Sequence, residues 1–87
     1  MNYELLQLPR AMRQLRNLHK SHHPLIKTII ETITALAENP RPLRAEKLVN
    51  RSEWRVRVGD YRVLYQIDDQ NRTVTVTTVA HRREVYR

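Results

Sequence analysis

Three arginines, Arg55, Arg57 and Arg62, are the residues of this chain whose type and spacing first suggest chemistry. They lie in the run Glu53-Trp-Arg-Val-Arg-Val-Gly-Asp-Tyr-Arg-Val-Leu-Tyr-Gln-Ile67. Gly59-Asp60 is a Gly-X pair suited to a two-residue type II′ turn, so the run predicts a tight β-hairpin. Its register would set Arg57 opposite Arg62, Val58 opposite Tyr61, Val56 opposite Val63 and Arg55 opposite Leu64. Side chains alternate along a strand. Trp54, Val56, Val58, Tyr61, Val63, Tyr65 and Ile67 therefore share one face, and the three arginines share the other. Like charges opposed across a sheet cost roughly 0.2–1 kcal/mol each, so such a patch invites an anion. A guanidinium donates two parallel N–H bonds, a geometry that favours phosphate. Glu53 and Asp60, the acids of these strands, are read as lying off the arginines' phase.

The elements that must position this patch follow from periodicity. Asn2 to Leu8 reads as a short first strand, and Pro9 suits the first turn of a helix. Met12, Leu15 and Leu18 give that helix an apolar side, and Arg10, Arg13, Arg16 and Lys20 a basic stripe read mainly as a wet face. Ser21-His22-His23 breaks the pattern. Pro24 opens a second helix with Ile26, Ile29, Ile30, Ile33 and Leu36 on one side, ending near Asn39 before Pro40 and Pro42. Residues 39–50 read as a loop or short turn. The β-branched run Thr73 to Val79 reads as a third hairpin strand. The result is one α+β domain over residues 1–87, a small two-layer β-α-α-β-β-β arrangement. Antiparallel hairpins carry two N-terminal helices on one face. Trp54, Tyr61 and Tyr65 fall with the core.

Bulk composition narrows the partners. The 87 residues carry a net charge of +7, with a pI of about 10.6, which fits a nucleic-acid footprint. Thirteen of the sixteen cations are Arg, and residues 51–87 hold eight Arg and no Lys, a bias toward planar, bidentate partners. Cysteine is absent, which excludes disulfides and thiolate metal sites and suits a cytoplasmic protein. His19, His22 and His23 have no carboxylate nearby, so no metal site is expected. No window approaches a membrane span and the N-terminus does not read as a signal peptide. No Ser/His/Asp triad, phosphate-cradling Gly loop or acidic pair is apparent.

Lys47-Leu48, then Trp54 to Ile67, then Val79-Ala-His-Arg-Arg-Glu-Val-Tyr86 resemble the RelE toxins of bacterial toxin–antitoxin pairs, within the RelE/ParE superfamily. The resemblance covers essentially the whole chain, and the His-Arg-Arg-Glu-Val-Tyr ending tilts it toward the RelE branch. One departure is Asn50, where the family commonly has Gly; Asn also tolerates a left-handed backbone. The resemblance implies a ribosome-dependent endoribonuclease that cleaves mRNA in the A site, with no metal or other cofactor. The 2′-hydroxyl attacks the adjacent phosphate and the 5′-oxygen of the next nucleotide leaves.

Carried over residue by residue, the resemblance assigns Arg55, Arg57 and Arg62 to the phosphate. Arg82 falls to the phosphate or leaving oxygen, and Tyr86 acts as stacking platform or base. His81 becomes an auxiliary base or acid; which of Tyr86 and His81 takes the proton stays open. Arg44, Lys47 and Arg83 are read as further RNA contacts. The implied partners are a cognate antitoxin, the ribosome and mRNA, with operator DNA bound only as the toxin–antitoxin complex. Two rivals share the fold: a ParE-like inhibitor of DNA gyrase, and a non-catalytic RNA-binding domain. The nuclease reading requires the guanidiniums and the phenol to converge in one pocket without being locked to carboxylates of their own chain.

Overall fold

The computed structural model describes residues 2–86. The element order is β1 (Glu4–Gln7), α1 (Pro9–Lys20), α2 (Ile26–Ala35), β2 (Glu46–Lys47), β3 (Trp54–Val58), β4 (Tyr61–Asp68) and β5 (Thr73–His81). The strands form one sheet in the order β1-β5-β4-β3-β2. All neighbours are antiparallel except β1, which runs parallel to β5. Both helices lie on one face, as the apolar patterning requires, and the α+β two-layer expectation holds.

The β3–β4 hairpin has the expected register, with Arg57 opposite Arg62 and Val56 opposite Val63. Gly59 sits at φ +57°, the conformation required at the first position of a type II′ turn. A Cβ there would also stand 2.8 Å from Leu25 Cδ1, so the turn packs closely under the connection between the helices. Val56, Val58, Val63 and Tyr65 are buried against Ala11, Leu18, Ile29 and Ile33. The Tyr65 hydroxyl donates to the Pro40 carbonyl at 2.8 Å, and burial pushes that phenol up to about 12. Tyr65 is therefore a core anchor.

Three local expectations need correction. Met12 is exposed and α1 buries Ala11 in its place, while Leu18 is buried and Leu15 packs against the core as expected. Helix α2 stops at Ala35, four residues short of Asn39; the chain tightens into three-residue bonds from Leu36 to Ile33, Ala37 to Thr34 and Glu38 to Ala35. Within the stretch read as loop, Glu46 and Lys47 form β2 and pair with Arg55 and Trp54.

Three non-glycine residues, His22, Asn50 and Arg72, take the left-handed conformation in the connections. His22 (φ 55°) ends α1 in a Schellman arrangement, with His23 N donating to Leu18 O and His22 N to His19 O. Asn50 takes φ 61°, the conformation expected where the family has Gly. A bulge lies in β5, where Leu64 pairs with Thr78 but Tyr65 with Val76. The extra residue, Thr77, shifts the alternation, so Val74, Val76 and Val79 all join the core under the helices.

Candidate active site

The face of the sheet away from the helices carries the arginines. Arg57 and Arg62 are directly opposed on β3 and β4, and Ala80 of β5 sits beside Arg62. Beyond β5 the chain makes one turn, with Glu84 N and Val85 N both donating to His81 O. Val85 is buried, and this anchors the turn so that Tyr86 returns over β3. There Arg55 Nη1 donates to the Tyr86 hydroxyl oxygen at 2.7 Å. The Tyr86 side chain remains 52% exposed, so an open ring is offered beside the guanidiniums.

Electrostatics shows how tightly these groups converge. Burial, then Arg57 and Arg55, and finally Arg82 push the Arg62 guanidinium below its ordinary value, while Tyr86 opposes them. Arg62 Nη1 donates to the backbone carbonyls of Gly59 at 3.0 Å and Tyr61 at 2.9 Å. Arg57 is exposed and, among the described residues, has no hydrogen-bonding or ionic partner of its own. Four guanidiniums thus share a small region in which, among the described residues, Arg57 and Arg62 have no carboxylate partner. An oxyanion placed there would relieve that repulsion.

Not every guanidinium is free of its own chain's acids. Arg55 Nη2 donates to Glu46 Oε2 at 3.0 Å. The Tyr86 hydrogen bond first, and the Glu46 charge after it, raise Arg55 above its ordinary value. Its Nε is buried and, among the described residues, has no hydrogen-bond partner. Arg82 is placed by its backbone N–H, which donates to Asp60 O at 2.8 Å; its Nε lies 3.9 Å from the Asp60 carboxylate, both side chains being exposed. Glu53, read as out of phase, in fact shares the phase of Arg55 and Arg57. It is buried and accepts from Arg51 and from the Thr77 hydroxyl.

Four expected site residues fall outside the cluster. His81 pairs with Tyr61 on the helix face and meets its ring edge-on at 5.7 Å, because the bulge at Thr77 sets the phase of residues 78–81. Its Nδ1 accepts from Arg83 N at 3.2 Å. Arg44 points to the Thr32 hydroxyl of α2 at 3.3 Å, on the helix side. Lys47 shares the phase of Trp54, and its ammonium donates to the Arg51 carbonyl of the adjoining loop. Arg83 is exposed on the terminal turn and, among the described residues, its side chain makes no contact with the cluster. In the other direction, Arg51 was not foreseen: its guanidinium lies 5.9 Å from the Tyr86 ring centroid. It sits in an irregular segment, where no alternation could have marked it.

A small α+β domain whose open sheet face gathers arginines beside an exposed tyrosine is a basic, anion-binding module. The model of the ParE toxins of type II toxin–antitoxin systems (parDE) matches residues 5–86. Toxin RelG of Mycobacterium tuberculosis is 37% identical over 76 residues, which covers 83% of this chain and 85% of RelG. The chain belongs to this toxin family, within the RelE/ParE superfamily. Among solved structures, the toxin–antitoxin complex RelBE2 of M. tuberculosis gives a TM-score of 0.76 at 26% identity, covering 93% of this chain and 99% of that one. The archaeal RelE–RelB complex of Pyrococcus horikoshii gives 0.77 at 23% identity, covering 98% and 100%, a likeness of fold.

Proposed function

We propose that this toxin is a ribosome-dependent endoribonuclease that cuts mRNA in the A site. The observation that carries the reading is the convergence of Arg55, Arg57, Arg62 and Arg82 with Tyr86 on one sheet face. A phosphodiester fits that need. The 2′-oxygen attacks phosphorus, the bond to the 5′-oxygen breaks, and a 2′,3′-cyclic phosphate and a 5′-hydroxyl remain. Arg57 and Arg62 hold the non-bridging oxygens as negative charge grows. Tyr86 accepts the 2′-hydroxyl proton and stacks on a base, its oxygen fixed by Arg55. Arg82, at the mouth of the turn, stabilises the leaving 5′-oxygen, which takes its proton from solvent water to become the 5′-hydroxyl. His81 lies on the opposite face and is left out of this set. The ribosome supplies the attack geometry of the message, which the small open site does not impose by itself.

The relatives solved as toxin–antitoxin complexes support a cognate antitoxin as the partner that holds the toxin inactive. A basic open face predicts an acidic or amphipathic segment that covers it. Operator DNA would be met only through that complex. Among the described residues no helix is long and apolar enough to cross a membrane, in keeping with work on cytoplasmic ribosomes.

The test adds the purified chain to a translating extract and maps mRNA ends by primer extension. Cuts within A-site codons that vanish in Arg82→Ala and Tyr86→Phe support the nuclease. Intact message with gyrase-linked DNA breaks supports a ParE-like inhibitor, a rival the matching family's name keeps in view. RNA retained but never cut supports a non-catalytic binding domain, with the steep salt dependence of phosphate contacts.

A further inference from the structure

We infer that Arg51 is a positioning residue that holds the Tyr86 ring for stacking on a single nucleobase, tethered from beneath by the buried Glu53–Thr77 pair. The inference rests on the nuclease reading and deepens it.

The chain of contacts begins at the β5 bulge. The inserted Thr77 turns its hydroxyl onto the arginine face, where it donates to Glu53 Oε2 and, at 3.3 Å, lies near the Leu64 carbonyl. Glu53 is only 8% exposed. A carboxylate so buried needs a cation, and Arg51 Nη2 supplies it through Glu53 Oε1. The pairing costs Arg51 its freedom. Its guanidinium then stands 5.9 Å from the Tyr86 ring centroid, a cation–π distance. Lys47 adds a second restraint by donating to the Arg51 carbonyl, which fixes the backbone of the same residue.

Tyr86 is thereby held at two points of different kind. Arg55 fixes its oxygen at 2.7 Å. Arg51 fixes its ring. The side chain follows a single turn and is half exposed. Covering one side of an aromatic ring with a guanidinium leaves the other side for a base, and arginine strengthens such a stack through its own charge. The site therefore takes one unstacked base. Arg51 acts through Tyr86 and touches neither the phosphate nor the leaving group.

The test measures single-turnover cleavage of a programmed ribosome by the full chain and its variants. Arg51→Ala should slow the saturated rate about tenfold, the order expected when a reacting group is misplaced, with the half-saturating concentration within about twofold. Arg51→Lys, which keeps a cation over the ring, should recover most of the rate. In a Tyr86→Ala background, Arg51→Ala should slow the residual rate no further. Arg51→Ala strands the Glu53 carboxylate, so Arg51→Ala/Glu53→Gln removes that burden and should remain as slow as the single variant. A 2-aminopurine in the A-site codon of a 2′-deoxy, uncleavable message reports stacking directly. Its quenching should be strong with the unaltered toxin and weak with Arg51→Ala and with Tyr86→Ala.

Recovery of the full rate in Arg51→Ala/Glu53→Gln would mean that the stranded acid, not the missing guanidinium, caused the loss, and would overturn the inference. So would equal slowing by Arg51→Ala with or without Tyr86, or unchanged quenching, while the nuclease reading would stand. An unaltered toxin that leaves the message whole would overturn both.

Discussion

Two arginine–aromatic clusters sit at opposite ends of β4, and they differ in one respect. At the β4–β5 turn, Asp69 accepts from the Tyr3 hydroxyl at 2.6 Å and from both terminal nitrogens of Arg41 at 3.2 and 2.7 Å. Arg41 also lies 5.4 Å from the Trp54 ring, and Arg72 4.5 Å from that of Tyr3. Arg41 first, then Tyr3, hold the Asp69 carboxyl down to about 2. At the β3–β4 turn the same residue types gather, yet among the described residues Arg57 and Arg62 find no carboxylate, and burial and then the neighbouring guanidiniums push Arg62 down. The first cluster has its anion built in and works as a fastener of the N-terminus, the residue 41 loop and the β4–β5 turn. In the second, acids meet the flanking arginines, Glu46 with Arg55 and Asp60 near Arg82, so the charge of Arg57 and Arg62 is left to bind something else.

The largest expected effect separates these roles outright. Arg62→Ala should lower single-turnover message cleavage by about 10²–10³-fold, the range for removing one fixed charge from a developing oxyanion. Its melting temperature should hold or rise, because the opposed Arg57–Arg62 pair is relieved. A clear drop in melting temperature would show that Arg62 is scaffold like Arg41.

Converting one cluster into the other is the next test. Ala80 faces Arg62 across β4 and β5 on the arginine side. Ala80→Glu would place a carboxylate opposite Arg62. Cleavage should fall about a hundredfold as the built-in acid takes the phosphate's place. Stability should rise by roughly 0.2–1 kcal/mol, as for an opposite-charge cross-strand pair. Chemical denaturation and cleavage rates read on one sample decide it; moves in the same direction would refute the contrast.

The fastener is tested by pH. Asp69 is held below the usual carboxylate range, so the unfolded chain binds the proton more readily. Its contribution is complete above the unfolded value near 4 and is lost as pH falls through about 2. Asp69→Asn should melt lower than the unaltered chain at neutral pH. The two melting curves should converge toward pH 2, and cleavage should be unchanged. A gap that persists at low pH would assign the effect to packing.

This contrast was only half legible in the sequence. The hairpin register followed from Gly59 and strict alternation, because one glycine and seven apolar positions allow a single pairing. The fastener was not foreseen, since Tyr3, Arg41 and Asp69 lie far apart in the chain and no periodicity links them. The placing of His81 failed for a definite reason. Residues 73–79 are β-branched throughout, so nothing in their pattern reveals the bulge at Thr77 that sets the face of every residue after it. Glu46 escaped notice because a two-residue strand has no period to read. It is nevertheless the residue that partly neutralises Arg55.

Glu46 accordingly marks where the two clusters approach each other in character, and it yields the smallest predicted effect. Its side chain is 56% exposed, so water and salt screen its hold on Arg55. Glu46→Gln should leave Arg55 bonded to Tyr86 and release its second terminal nitrogen for phosphate. The site would then engage about one more phosphate charge, and the dependence of log affinity on log salt should steepen by about 0.7, the increment for single-stranded RNA. Binding to an uncleavable message should tighten a few-fold at low salt and match the unaltered toxin at high salt, where the added attraction is screened. Titrations across a salt series measure the slope directly. An unchanged slope would mean that Arg55 serves the phenol alone, and the phosphate clamp would then consist of Arg57, Arg62 and Arg82.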